Sequence, residues 1–178
     1  MSNWTSPKTW ADAIALTAAE LNTYVRDNLQ YLYDRLGTQS AVLSSDVTKS
    51  SASFSDLTGL SFTCTSGKNY SVRGFLTYEA SSTSLVPQIG VNYPGGSVRG
   101  MVTIAGDTST VSLERDWVTT TDTSGITTTP NATGTAYAIW VDFRYQCTSS
   151  GTFALRIARG TTGTLTIHKG SGITITSD

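Results

Sequence analysis

Residues 136–146 read AYAIWVDFRYQ and form the strongest strand signal in the chain. Ile139, Val141, Phe143 and Tyr145 fall on one side of a period-two pattern, and Trp140, Asp142 and Arg144 fall on the other, as a half-buried strand requires. β-Branched and aromatic side chains dominate it, and these pack well on a pleated surface. Two arrangements remain open. Either the aliphatic row faces the core and Trp140 needs cover from outside, or Trp140 lies inside and the aliphatic row is the covered outer face.

The same grammar spreads outward in both directions. Upstream, Tyr70, Val72, Leu76 and Tyr78 alternate with Ser71, Arg73, Thr77 and Glu79. A short strand is expected at 60–65, another at 85–93 ended by Pro94-Gly95-Gly96, and two more at 101–104 and 111–118, since the Pro-Gly pair cannot continue a central ladder. Downstream, strands are expected at 153–159, 165–168 and 173–175. Short alternating strands separated by Gly, Pro and Ser turns predict an antiparallel β-sandwich, a jelly roll being the economical form. We place that domain at 56–178, after a Ser/Thr-rich linker at 38–55 that holds at most one edge strand. The Thr-rich stretch 119–134 is either a solvated spacer or a ligand-contacting tip. If it is a tip, Thr119, Thr121, Asp122, Thr128 and Asn131 are its contact residues.

One segment has a different period. Residues 17–36, TAAELNTYVRDNLQYLYDRL, carry Leu21, Val25, Leu29, Leu32 and Leu36 at helical spacing. Thr17 and Glu20 have the capping-box form, and Gly37 marks the stop. A twenty-residue helix spans about 30 Å and is marginal alone, so its apolar stripe must be buried against something. Asn28 lies at the stripe's edge. It is either a polar residue that sets register between helices or a plain surface residue. Trp4 and Trp10 precede the helix, in a segment too irregular for a regular element, and large aromatics there insert into a pocket on the same chain or on a partner. Residues 1–37 are therefore read as an attachment and association segment.

Composition agrees with this division. The chain has 178 residues, 31 of them Thr and 23 Ser, with charged residues at 14% and a formal charge of -1. Scattered Lys and Arg offer no footprint for nucleic acid. No run of 18 apolar residues is present, so no membrane insertion is expected. Cys64 and Cys147 are expected as reduced, partly buried thiols. The one histidine, His168, has no nucleophile or orienting group near it in sequence and is expected as an ordinary strand residue. A glycosidase needs two carboxylates at a fixed separation. Glu114, Asp116 and Asp142 are available, but at outward positions where charged residues ordinarily sit. We therefore expect no enzyme activity, no cofactor and no metal.

The string from Trp10 through Leu-Thr-Ala-Ala-Glu-Leu-Asn (16–22) to Val-Arg-Asp-Asn-Leu (25–29) resembles the N-terminal segment of tailed-bacteriophage virion proteins. The usual glycine in the turn before the helix is replaced here by Asp12-Ala13-Ile14-Ala15. The strand pattern of 60–178 also resembles phage jelly-roll domains related in shape to tumour necrosis factor. The resemblance implies a homotrimer on the virion surface, either as a short tail-tip or fibre knob or as a capsid fibre or decoration protein, made in the host cytoplasm. It implies other virion proteins as partners, with Trp140, Asp142 and Arg144 at an interface between β-domains. A host-surface glycan is the alternative partner, and a glycan-degrading tailspike a more distant one.

Overall fold

The structure, a computed structural model, describes residues 5–6, 8–9, 15, 17–106, 113–118, 129–130 and 132–177, with backbone only at 33–36 and 113–118. The helix starts where the sequence places it. Thr17 Oγ1 accepts the Glu20 N–H (3.2 Å) and Glu20 Oε2 accepts the Thr17 N–H (3.1 Å), the reciprocal capping box. The rod comprises α1 (Ala18–Leu21), a π-helical turn (Asn22–Arg26) and α2 (Asp27–Leu36), ending at Gly37 with φ 22°. Nothing in the sequence signals the π-turn.

Eleven strands follow among the described residues: β1 (Thr38–Val42), β2 (Val47–Lys49), β3 (Ser55–Cys64), β4 (Asn69–Ala80), β5 (Pro87–Asn92), β6 (Gly96–Ala105), β7 (Leu113–Val118), β8 (Tyr137–Cys147), β9 (Gly151–Arg159), β10 (Leu165–Ile167) and β11 (Gly172–Ser177). They form two sheets, antiparallel throughout. The larger has the order β1-β11-β4-β8-β6-β7, with β10 joining β2 to β4, and the smaller has the order β3-β9-β5.

The expected linker at 38–55 is corrected by this topology. Thr38–Val42 pairs with β11, and Val47–Lys49 pairs with β10. Both segments are mostly polar and exposed, so hydrogen bonding to a strand more than a hundred residues away places them, and no hydrophobic pattern announces it. β6 is likewise longer than the expected 101–104, because it begins directly at the Pro94-Gly95-Gly96 turn.

The core lies between the sheets. Val72, Leu76 and Tyr78 from β4 and Ile139, Val141, Phe143 and Tyr145 from β8 face Leu57, Leu60, Phe62, Phe153, Leu155 and Ile157 from the smaller sheet. Aromatic rings concentrate at one end: Phe62 stacks on Phe153 at 5.0 Å between centroids, and Tyr145 lies 5.2 Å from Phe153 and 6.0 Å from Tyr70. Burial of two phenols is tolerated because each O–H donates to a carbonyl, Tyr145 to Gly95 (2.7 Å) and Tyr78 to Ala105 (2.9 Å). That burial pushes both phenol pKa values up.

β4 is long enough to pair with β11 and then β10 along one edge. Between them the ladder is completed by other means. Ser171, itself buried, accepts the Thr77 N–H through Oγ (3.0 Å), and the Thr77 carbonyl accepts the His168 N–H (2.9 Å). A buried strand edge is thus left with no orphaned backbone group at that point.

Candidate functional site

Two surfaces stand out, and the helix carries the first. Leu21, Val25, Leu29 and Leu32 are between 43% and 61% exposed, so the described chain does not shelter its own apolar stripe. The Leu36 side chain lies outside the described atoms, as do Trp4 and Trp10. What the chain does cover is the neighbouring side of the helix. Thr5 N–H donates to Asn28 Oδ1 (2.9 Å), Asn28 Nδ2 donates back to the Thr5 carbonyl (2.9 Å) and also to the Tyr24 carbonyl (3.2 Å), and Lys8 Nζ donates to Glu20. The described lead-in residues Thr5 and Lys8 therefore lie antiparallel along the helix, as a strap.

The expectation that Asn28 is a plain surface residue is corrected by this geometry. It is only 7% exposed, and its amide behaves as one rung of a β-ladder that holds an extended residue from the same chain. Asn28→Ala leaves the Thr5 amide and carbonyl without partners, at a local cost of about 1–3 kcal/mol. Proteolysis within residues 5–9 is expected to accelerate, with the thermal midpoint of the sandwich unchanged.

The Lys8 ammonium, followed by the Thr17 N–H and hydroxyl, holds the Glu20 carboxyl at about 2. Because the folded pKa is depressed, the contact is complete above the ordinary carboxylate pKa near 4.5 and is lost as pH falls toward 2. A pH titration followed by amide exchange at residues 5–9 is expected to show the strap releasing in that window. No release down to pH 2 would contradict the ion pair.

The second surface is the outer face of the larger sheet. Here the first arrangement of the 136–146 strand holds: Ile139, Val141, Phe143 and Tyr145 are buried, and Trp140 is 43% exposed. Registration sets three rows across β4, β8 and β6. Phe75 faces Trp140 and then Thr103; Arg73 faces Asp142 and then Met101; Ser71 faces Arg144 and then Arg99. The Phe75 and Trp140 rings meet edge to face at 5.7 Å. Asp142 Oδ2 lies 3.3 Å from Arg73 Nε, with both side chains mostly solvated, so the pair contributes at most about 1 kcal/mol.

Phe75, Arg73 and Arg99 were not singled out by sequence. For Phe75 a signal existed: it is the aromatic residue on the polar side of the β4 alternation. Arg99 gave none, since its cross-strand partner is 45 positions away.

The remaining residues named from sequence divide as follows. Thr119, Thr121, Asp122, Thr128 and Asn131 lie outside the described residues. Cys64 and Cys147 are buried, unbridged thiols at the same end of the sandwich, and burial pushes the Cys64 thiol up. His168 sits between two carboxylates, Nδ1 at 3.6 Å from Asp46 and Nε2 at 3.7 Å from Glu79. Register pairs Glu114 with Ile104 and Asp116 with Val102. The Glu114 and Asp116 side chains lie outside the described atoms, and Asp142 is solvated at an outward position, as expected. Among the described residues no group of three or more His, Cys, Asp or Glu is placed to hold a metal, and no helix is long and apolar enough to cross a membrane.

No family model matches the chain, and no curated protein matches it in sequence. Among solved structures, a chain of infectious bursal disease virus Gt strain aligns with 82% of this chain and 43% of its own length, at 10% identity and TM-score 0.26. A chain of the Gx strain aligns with 78% of this chain and 38% of its own, at 11% identity and TM-score 0.22. This chain thus spans less than half of either, and neither alignment defines a common fold.

Proposed function

We propose that this chain is a non-enzymatic structural protein of a bacteriophage virion, a homotrimer displayed on the particle surface. The observation that carries the reading is the open helical stripe: a capped helix keeps Leu21, Val25, Leu29 and Leu32 in water while its own lead-in covers the adjacent side. An amphipathic helix of this length is stable when that stripe is buried, and the same stripe on sister chains is the simplest partner of matching shape. The resemblance of residues 16–29 to phage virion proteins supplies the context.

The β-domain is read as a jelly roll of the tumour-necrosis-factor shape. Supporting this, the chain passes repeatedly between the two sheets, and β1-β11-β4-β8 packs over β3-β9-β5. β6 and β7 extend the free edge of β8, so the larger sheet is wider than in a sandwich of two equal sheets. A helix of about 30 Å bearing one compact knob has short reach, which suits a tail tip or a capsid site. Other virion proteins are the expected partners at the strap end.

Sedimentation of the whole chain tests the assembly: a mass of three chains is expected, and a monodisperse monomer would overturn the reading. Labelled particles imaged by electron microscopy separate heads from tails.

A further inference from the structure

We propose that the outer face of the larger sheet binds an acidic polysaccharide, whose carboxylate or sulfate group is held between Arg99 and Arg144 and whose sugar rings lie against Trp140 and Phe75. The inference goes beyond the trimer reading and does not depend on it.

The register fixes the charge arrangement. Arg99 and Arg144 are Cα partners on adjacent antiparallel strands, which brings their Cβ atoms to about 5 Å on the same face. Like charges directly opposite each other weaken a ladder, and nothing in the described fold offsets this pair. Asp142, on the same face, is engaged by Arg73. Three arginines, Arg73, Arg99 and Arg144, thus share this part of the face with one aspartate, on a chain whose formal charge is -1. Two adjacent guanidinium forks present the donor geometry that carboxylate and sulfate oxygens accept.

The rest of the face fits a sugar chain. Beyond the arginines, Asn69, Gln146 and Ser97 form the next registered row, and their amides and hydroxyl suit sugar hydroxyls. On the other side, past Met101, stands the Phe75–Trp140 platform, whose rings are 48% and 43% exposed. Arg144 and Trp140 are four residues apart on β8, a separation of about 13 Å. A single small anion cannot span that distance. The face is also a set of shallow open depressions, whereas a small-molecule pocket surrounds most of its ligand. An extended ligand that lies along β8 meets the amide row, the guanidinium pair and the aromatic platform in turn.

The test uses the whole chain with polygalacturonate and dextran sulfate as probes, neutral dextran as control, and biolayer interferometry as readout. Binding to at least one acidic polymer and none to dextran is expected. Arg99→Gln/Arg144→Gln is expected to weaken that binding at least about 10-fold, and Trp140→Ala is expected to weaken it as well. Lys49→Gln, on β2, is expected to leave it intact. The proposal is overturned by no binding to either acidic polymer, by binding undiminished in the double variant, or by an equal loss in Lys49→Gln. Single-stranded DNA binding as tightly as the acidic polymer overturns it too. So does a changed sedimentation mass of the double variant, which would make this face a contact between copies. An unchanged mass with lost binding supports the site and leaves the trimer question to its own experiment.

Discussion

Leu29→Asp is expected to reduce the protein from a three-chain to a one-chain mass by sedimentation, while the melting of the β-sandwich stays where it was. Leu29 is the most exposed member of the helical stripe at 61%, so in a single chain the aspartate is simply hydrated. In an association that buries the stripe, each copy instead places an uncompensated carboxylate among leucines, at about 3–5 kcal/mol per chain. No ordinary packing adjustment recovers that sum. Leu29→Met, similar in volume and apolar, is expected to keep the assembly. A variant of unchanged mass would show that the stripe is not the shared surface.

Gly96→Ala is expected to have the largest effect on folding. Gly96 opens β6 with φ +118°, and a Cβ there would lie 1.8 Å from the Gln146 carbonyl oxygen. Backbone cannot retreat in the way a flexible side chain can, because Gly96 is paired with Cys147 at the end of β8. Backbone conformation and steric overlap therefore act together, and a loss above about 4 kcal/mol is expected. Against a total of about 5–15 kcal/mol for a domain of this kind, urea denaturation is expected to show a much lower midpoint or no folded baseline. Gly67→Ala separates the two causes. Gly67 also has positive φ, at +83°, but nothing lies within 4 Å of its added Cβ, so only the conformational term of about 1–2 kcal/mol remains. Equal losses for the two variants would refute the steric argument.

What could be read beforehand follows from where each partner sits in the chain. The helix start was legible because Thr17 and Glu20 cap one another three residues apart, and β8 was legible because alternation is a local property. The partners of Asn28 and Asp142 were not legible, for the opposite reason. Thr5 lies 23 positions from Asn28, Arg73 lies on another strand from Asp142, and no local pattern distinguishes a polar residue with a distant partner from one in solvent. β6 was cut short because Gly100 interrupts its apolar pattern. Its reason is tertiary: an added Cβ would lie 2.2 Å from the Asp142 carbonyl oxygen and 2.5 Å from the buried Phe143 ring. β1 was hidden because TQSAV carries little apolar signal and is a strand by virtue of β11 alone.

That last pairing bears on how the molecule is made. Residues 172–177 leave the ribosome after every other strand described here, yet they must slot between β1 and β4 before the sheet is complete. Through most of synthesis the segment that tethers the helix to the β-sandwich has no partner to hydrogen-bond with, and the helix emerges first. In the proposed assembly, nascent chains on one messenger would have the helix free while the knob is still unfinished, so that contact between copies would precede closure of each subunit.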